Sequence, residues 1–199
     1  MTEKKPFHDP ENFETGMKPE EDREHRSQKK SGGFVEFLII LLIAFALVFG
    51  VVRPFIVEAF YIPSESMVPT LEVGDRVFVN KFIYRFSEPE HGDIVVFESV
   101  EGENEDLIKR IVGLPGDRVA VFDGVLFVNG ERWEEPYVNK LFPDNSSYGP
   151  TTVPEGEVFV MGDNRSNSRD SRFFGPISLD NIEGEAFIIF WPPSSVGIL

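Results

Sequence analysis

Residues 107–130 read LIKRIVGLPGDRVAVFDGVLFVNG. Three short runs stand out in them: Leu107–Gly113, Arg118–Phe122 and Val125–Val128. Each is rich in β-branched and apolar residues, and Gly, Pro, Asp and Asn separate them, which is the signature of successive strands. Asp123-Gly124 and Asn129-Gly130 are two-residue hairpin signals, because both residue pairs reach positive φ. The same texture recurs outward at Arg76–Asn80, Ile94–Glu98, Val158–Gly162 and Glu185–Trp191. No long amphipathic helix pattern and no internal repeat interrupts it. Residues 140–156 (KLFPDNSSYGPTTVPEG) read as a surface loop. The expected fold is mainly β, an antiparallel domain over residues 55–199.

Upstream, Phe34 to Val52 (FVEFLIILLIAFALVFGVV) is apolar on every side. At about 1.5 Å per residue its length approaches the hydrocarbon thickness of a bilayer. Glu36 lies near the start, within reach of the interface. A cleaved secretory signal is the other reading, and Val57-Glu58-Ala59 loosely fits a cleavage pattern. The apolar run is longer than a typical signal core of about 7–15 residues and begins far from the N-terminus. An uncleaved anchor over 34–54 is therefore expected. Residues 1–33 are polar and offer only Phe7 and Phe13 as bulk, too little apolar area to offset ordering. They are expected to be a disordered tail. Arg26, Lys29 and Lys30 precede the apolar run and only Arg53 closely follows it. Basic residues remain cytoplasmic, so the N-terminus is expected inside and residues 55–199 outside.

Charge excludes further classes. Residues 55–199 carry 25 acidic and 11 basic residues, within a chain of net charge −15. Nucleic acid is an unsuitable partner for so acidic a surface. There is no cysteine, which removes disulfides, thiolate metal sites and a thiol nucleophile. His8, His25 and His91 are the only histidines, and none sits in metal-ligand spacing. No metal and no cofactor is expected.

A hydrolytic site needs a nucleophile and a base. A Ser-His-Asp triad would have to use His91, which lies in a turn-like Glu90-His91-Gly92-Asp93. Lysine is the other choice, and it works as a base only when burial lowers its pKa. Lys109 alternates with Leu107 and Ile111 on one strand face, while Arg110 shares the other face with Ile108 and Val112. Pattern alone equally describes a strand lysine extending to water. Just after the anchor comes Ile62-Pro63-Ser64-Glu65-Ser66-Met67-Val68-Pro69-Thr70-Leu71. Its prolines oppose helix formation, and two serines two residues apart put hydroxyls on one side of an extended chain. It also reads as an ordinary Ser/Pro linker. A third segment, Gly162 to Arg172 (GDNRSNSRDSR), is dense in turn formers and paired charges. Asp170 and Arg172 suit an ion pair, and a serine here suits orientation of a buried amine.

Together, in this order behind one apolar span, the three segments resemble those of bacterial type I signal peptidases, a Ser/Lys peptidase family. The resemblance covers about residues 34 to 192, including Gly74-Asp75 and Gly92-Asp93-Ile94-Val95-Val96-Phe97. It implies a signal-peptidase-like β catalytic domain on one transmembrane helix, in a bacterial plasma membrane. It implies Ser66 as nucleophile and Lys109 as general base. Ser64 would form the oxyanion hole with the Ser66 N–H, Ser168 would hydrogen-bond the lysine, and Asp170 with Arg172 would brace the loop. The implied partners are membrane lipid and exported preproteins, cut after small residues at positions −1 and −3. Glu65 departs from a position that is often Gly, and His91 from one that is often Arg.

Ser66 lies 14 residues beyond Val52, so an extended chain places it near the outer membrane face. Phe55, Ile56, Phe60, Tyr61 and Ile62 either enter the interface, or continue the anchor helix or pack in a core. Two other functions remain open on sequence: a self-cleaving Ser/Lys protease of the repressor type, and an anchored β-domain that binds exported chains without cutting them.

Overall fold

A computed structural model describes residues 32–52, 56–100, 102, 105–139 and 143–199. Most of the expected tail therefore lies outside the described residues, as do Phe55 and residues 140–142. Two units meet in sequence near Phe45–Ala46. Around that point lies α1, Gly32–Leu47, followed by a wider π-type turn over Val48–Val52. Gly33–Gly50 is the one helical stretch among the described residues that is long and apolar enough to cross a membrane. Its mean hydropathy is 2.6 and none of it is buried.

The second unit is antiparallel β. Its strands are β1 (Val57–Tyr61), β2 (Arg76–Asn80), β3 (Ile94–Glu98), β4 (Asp106–Gly113), β5 (Arg118–Phe122), β6 (Val125–Val128), β7 (Glu131–Arg132), β8 (Tyr148–Thr152), β9 (Glu157–Met161), β10 (Ile177–Ser178), β11 (Ile182–Trp191) and β12 (Gly197–Ile198). The larger sheet runs β1-β2-β11-β3-β4-β9-β10, with β12 on β11, and the smaller runs β7-β6-β5-β8. Both hairpin signals hold: Asp123 and Asn129 have φ of 48° and 55°, each followed by a positive-φ glycine.

Alternation explains the packing. In β5 and β6, Val119, Val121, Leu126 and Val128 face a core that β4 and β9 share through Val112, Phe159 and Met161. That shared core joins the two sheets, and each fully buried Val or Leu in it contributes about 1.5–3 kcal/mol. β3 is buried on both faces, Val95 and Phe97 in one cluster and Ile94 and Val96 in another. This is why Ile94–Phe97 is apolar without interruption, the exposed Glu98 closing the strand.

One reading needs correction. Residues 140–156 are not all loop, because Tyr148–Thr152 pairs with β5 as β8. Gly149 and Pro150 disguised it, and a proline is tolerated there because β8 is an edge strand whose outer side needs no donor. Of the alternatives open for Phe60 and Ile62 the core is the one observed: residues 57–61 pair with β2, and Ile62 is buried with Phe60 packed beside it. Tyr61 is 58% exposed.

Candidate active site

The segment between β1 and β2 is held from beneath. Ile62, Met67 and Leu71 are buried to within 1% of full exclusion, and Ile62 exchanges backbone bonds with Gly74 and Asp75. Apolar anchors on either side thus fix Ser66, itself buried, while Ser64 remains exposed with its Oγ 3.3 Å from Ser66 Oγ.

Strand β4 supplies Lys109, set opposite Val95 in the ladder. Leu107 and Ile111, its expected neighbours on the strand face, pack with Val95 and Phe97. The lysine is 3% exposed, and its Nζ donates to Ser66 Oγ at 2.9 Å and to the Ile108 carbonyl at 2.8 Å. Burial lowers its pKa to about 8, against the opposing pull of Asp170 and Asp163. An amine so placed can shed its proton near neutral pH and accept the one on Ser66 Oγ.

The third segment grips the first. The Asn164 N–H donates to the Ser66 carbonyl at 3.0 Å, and Asn164 Nδ2 to the Glu65 carbonyl at 3.0 Å. Asn167 Nδ2 donates to Glu65 Oε2 at 3.2 Å. Gly162 makes this approach possible, since a Cβ there would lie 2.3 Å from Ser168 Oγ and 2.5 Å from the Ser66 carbonyl oxygen. The second contact is with backbone, which cannot swing aside. Gly162→Ala is therefore expected to displace Ser66 and cut kcat on a peptide substrate by about 100-fold, the scale for an ångström of misplacement. Steady-state kinetics of the folded variant checks it.

Ser168 Oγ is buried beside this contact and has no hydrogen-bond partner among the described residues. The amine of Lys109 is instead bonded to Ser66 and Ile108. Asp170, fully buried, accepts from the Gly162 N–H at 3.1 Å and pairs with Arg172 through Nε at 2.8 Å and Nη2 at 2.9 Å. Arg172 also donates to the Arg165 carbonyl and Ser146 Oγ. His91 pairs with Asp117 at 2.7 Å and sits against Trp133, so its partners are not those of the Ser66 hydroxyl.

Sequence reasoning missed a second tie. Arg110, next to the lysine but on the opposite strand face, donates to both oxygens of Asp163 at 2.9 and 2.7 Å. Thr70, from the serine segment, donates to the same carboxylate. One buried ion pair thus joins all three segments. The available signal was a second charge in an otherwise apolar strand, which calls for an acid on the other face. Nothing in sequence selects Asp163 from 53 residues away.

A model of the family described as signal peptidase, peptidase S26, matches residues 34–191. A signal peptidase I of Leptolyngbya laminosa is 46% identical over 155 residues, 74% of this chain and 75% of that protein. A probable signal peptidase I-2 of Synechocystis is 44% identical over 74% of this chain and 69% of its own length. Signal peptidase IB of Staphylococcus aureus is 38% identical over 79% of this chain and 90% of its own length. The chain belongs to the signal peptidase family S26. It is a peptidase, a hydrolase of the signal peptidase I type.

Proposed function

We propose that the chain is a membrane-anchored endopeptidase that removes signal peptides from exported preproteins through a Ser66/Lys109 dyad. The 2.9 Å contact between the buried Lys109 amine and Ser66 Oγ carries this reading. Neutral Lys109 takes the Ser66 proton as Oγ attacks the scissile carbonyl. The tetrahedral oxyanion is held by the Ser64 hydroxyl and the Ser66 N–H. The resulting Lys109 ammonium returns that proton to the leaving amino group as the C–N bond breaks, and an ester to Ser66 remains. Water, deprotonated by the same lysine, hydrolyses the ester and restores the hydroxyl. Asp170 and Arg172 brace the loop, and the Ser168 hydroxyl, buried and without a partner among the described residues, serves to orient the amine. No cofactor enters these steps.

The apolar Gly33–Gly50 helix supports a single membrane anchor, and the basic residues before it support a cytoplasmic N-terminus. On this reading residues 1–33 are a cytoplasmic tail, 34–54 the anchor and 55–199 the extracytoplasmic peptidase, in a bacterial plasma membrane. The substrates are preproteins with small residues at −1 and −3.

The test is cleavage of purified preproteins in detergent by the parent and Ser66→Ala, with the new N-terminus sequenced. A cut after a small-x-small site, reduced about 1,000-fold or more by the substitution, is expected. Equal cutting by Ser66→Ala would remove Ser66 as nucleophile. Failure of the folded parent to cut any preprotein would favour a binding domain.

A further inference from the structure

The smaller sheet contributes nothing to the dyad itself, yet the chain leaving it crosses to the site. After β7, the Trp133 N–H bonds the Leu126 carbonyl and the indole packs on the core of that sheet. The next residues turn away as Glu134-Glu135-Pro136-Tyr137. Glu135 faces Arg165, whose side chain is 1% exposed. Arg165 Nη1 donates to Glu135 Oε2 at 2.9 Å and Nη2 to Oε1, a bidentate pair, while Nε holds the Gly162 carbonyl at 2.9 Å. The Tyr137 hydroxyl donates to the same Glu135 carboxylate at 3.2 Å, and its ring lies 4.1 Å from the Arg110 guanidinium carbon.

These contacts straddle the dyad. Arg165 follows Asn164, which holds the Ser66 carbonyl, and Arg110 follows Lys109. A bidentate Arg–carboxylate pair fixes direction as well as distance, and its burial excludes competing water. We propose that residues 133–137 form a positioning strap in which Glu135, acting through Arg165, sets the loop that holds Ser66 against Lys109. Tyr137 does the same for the base strand through Arg110. The smaller sheet would then serve catalysis by presenting this strap. The proposal rests on the Ser66/Lys109 reading.

Glu135 touches neither reacting atom, so its effect is on how often Ser66 and Lys109 stand in attacking geometry. That lowers kcat and kcat/KM together and leaves KM nearly unchanged. Glu135→Gln preserves volume and loses the charged bidentate pair. It is expected to lower kcat about 30- to 100-fold on a preprotein substrate, with KM within about threefold of the parent. Glu135→Asp, which keeps the charge on a shorter arm, is expected to recover part of that loss. Val121→Ala, in the core of the smaller sheet, serves as the matched control. It is expected to lower the unfolding temperature while keeping kcat near the parent value when assayed well below that temperature. Parental kcat in folded Glu135→Gln, or an equal kcat loss in Val121→Ala, would overturn the strap. Ser66→Ala measured alongside separates the two ideas: activity there removes the dyad, whereas an inactive Ser66→Ala with a fully active Glu135→Gln removes the strap alone.

Discussion

Lys109→Met is expected to lower kcat/KM on a preprotein by about 1,000-fold or more while leaving the fold intact. Methionine keeps the aliphatic bulk among the neighbouring side chains but cannot take a proton from Ser66 Oγ. Activity of the parent is expected to rise with pH through about 8, where burial has placed the amine, and then to level off. Only the neutral amine is a base, so the sign is fixed. A flat profile from mildly acid to alkaline pH, or substantial activity in the methionine variant, would remove the lysine from the base role.

The same burial has a consequence for stability. The amine titrates at about 8 in the native state, below its ordinary value of 10.5. Below pH 8 both the folded and unfolded chains carry the proton, and the cost of burying the charge is fully present. Between about 8 and 10.5 the unfolded chain still holds a proton that the native state has released, so native stability rises with pH across that window. Lys109→Met lacks this contribution. At neutral pH it escapes the cost of the buried charge but loses the bonds to Ser66 Oγ and the Ile108 carbonyl. Its stability there is expected close to the parent's, within about 2 kcal/mol. Urea unfolding at pH 7 and pH 10 reads this: the parent gains on the variant at the higher pH.

Asp163→Ala is expected to give the largest loss of stability. Its carboxylate is fully buried and accepts two bonds from Arg110 and one from Thr70. Without it Arg110 keeps the Gly92 carbonyl and the Tyr137 ring but has no counter-charge. Breaking one half of a buried pair costs about 3–5 kcal/mol, because the other charge remains desolvated. For a chain of this size that is a fall of roughly 10 °C in unfolding temperature. Adding Arg110→Met removes the stranded charge and is expected to recover much of the loss. Thermal unfolding of the two single variants and the double variant closes the cycle. A change of under about 2 °C in Asp163→Ala would mean the pair is not what ties the three segments together.

The strands whose apolar face meets a core were legible locally. Arg76–Asn80, Ile94–Glu98, Arg118–Phe122 and Val125–Val128 were delimited from sequence at the residues where the structure begins and ends them. Alternation and turn chemistry depend only on neighbours in the chain, so a few residues carry the whole signal. Strand β8 escaped because an edge strand tolerates Gly149 and Pro150, which otherwise mark a loop. Strand β1 escaped because it follows an apolar helix closely, and apolar residues there suit a helix, an interface or a strand equally.

The candidate site divides along the same line. Sequence by itself determined which residues carry suitable chemistry: serines in a proline-stiffened segment, a lysine alternating with Leu107 and Ile111, and a loop rich in paired charges. Residue type and strand period are properties of the local chain, and they suffice for that much. Only the tertiary structure decided that Lys109 is 3% exposed and 2.9 Å from Ser66 Oγ, that Asn164 holds the serine segment, and that Asp163 and Glu135 answer Arg110 and Arg165. These are pairings across long stretches of chain. They are selected by which strands lie side by side and by the exclusion of water between them, and neither is written in the spacing of residues along one segment.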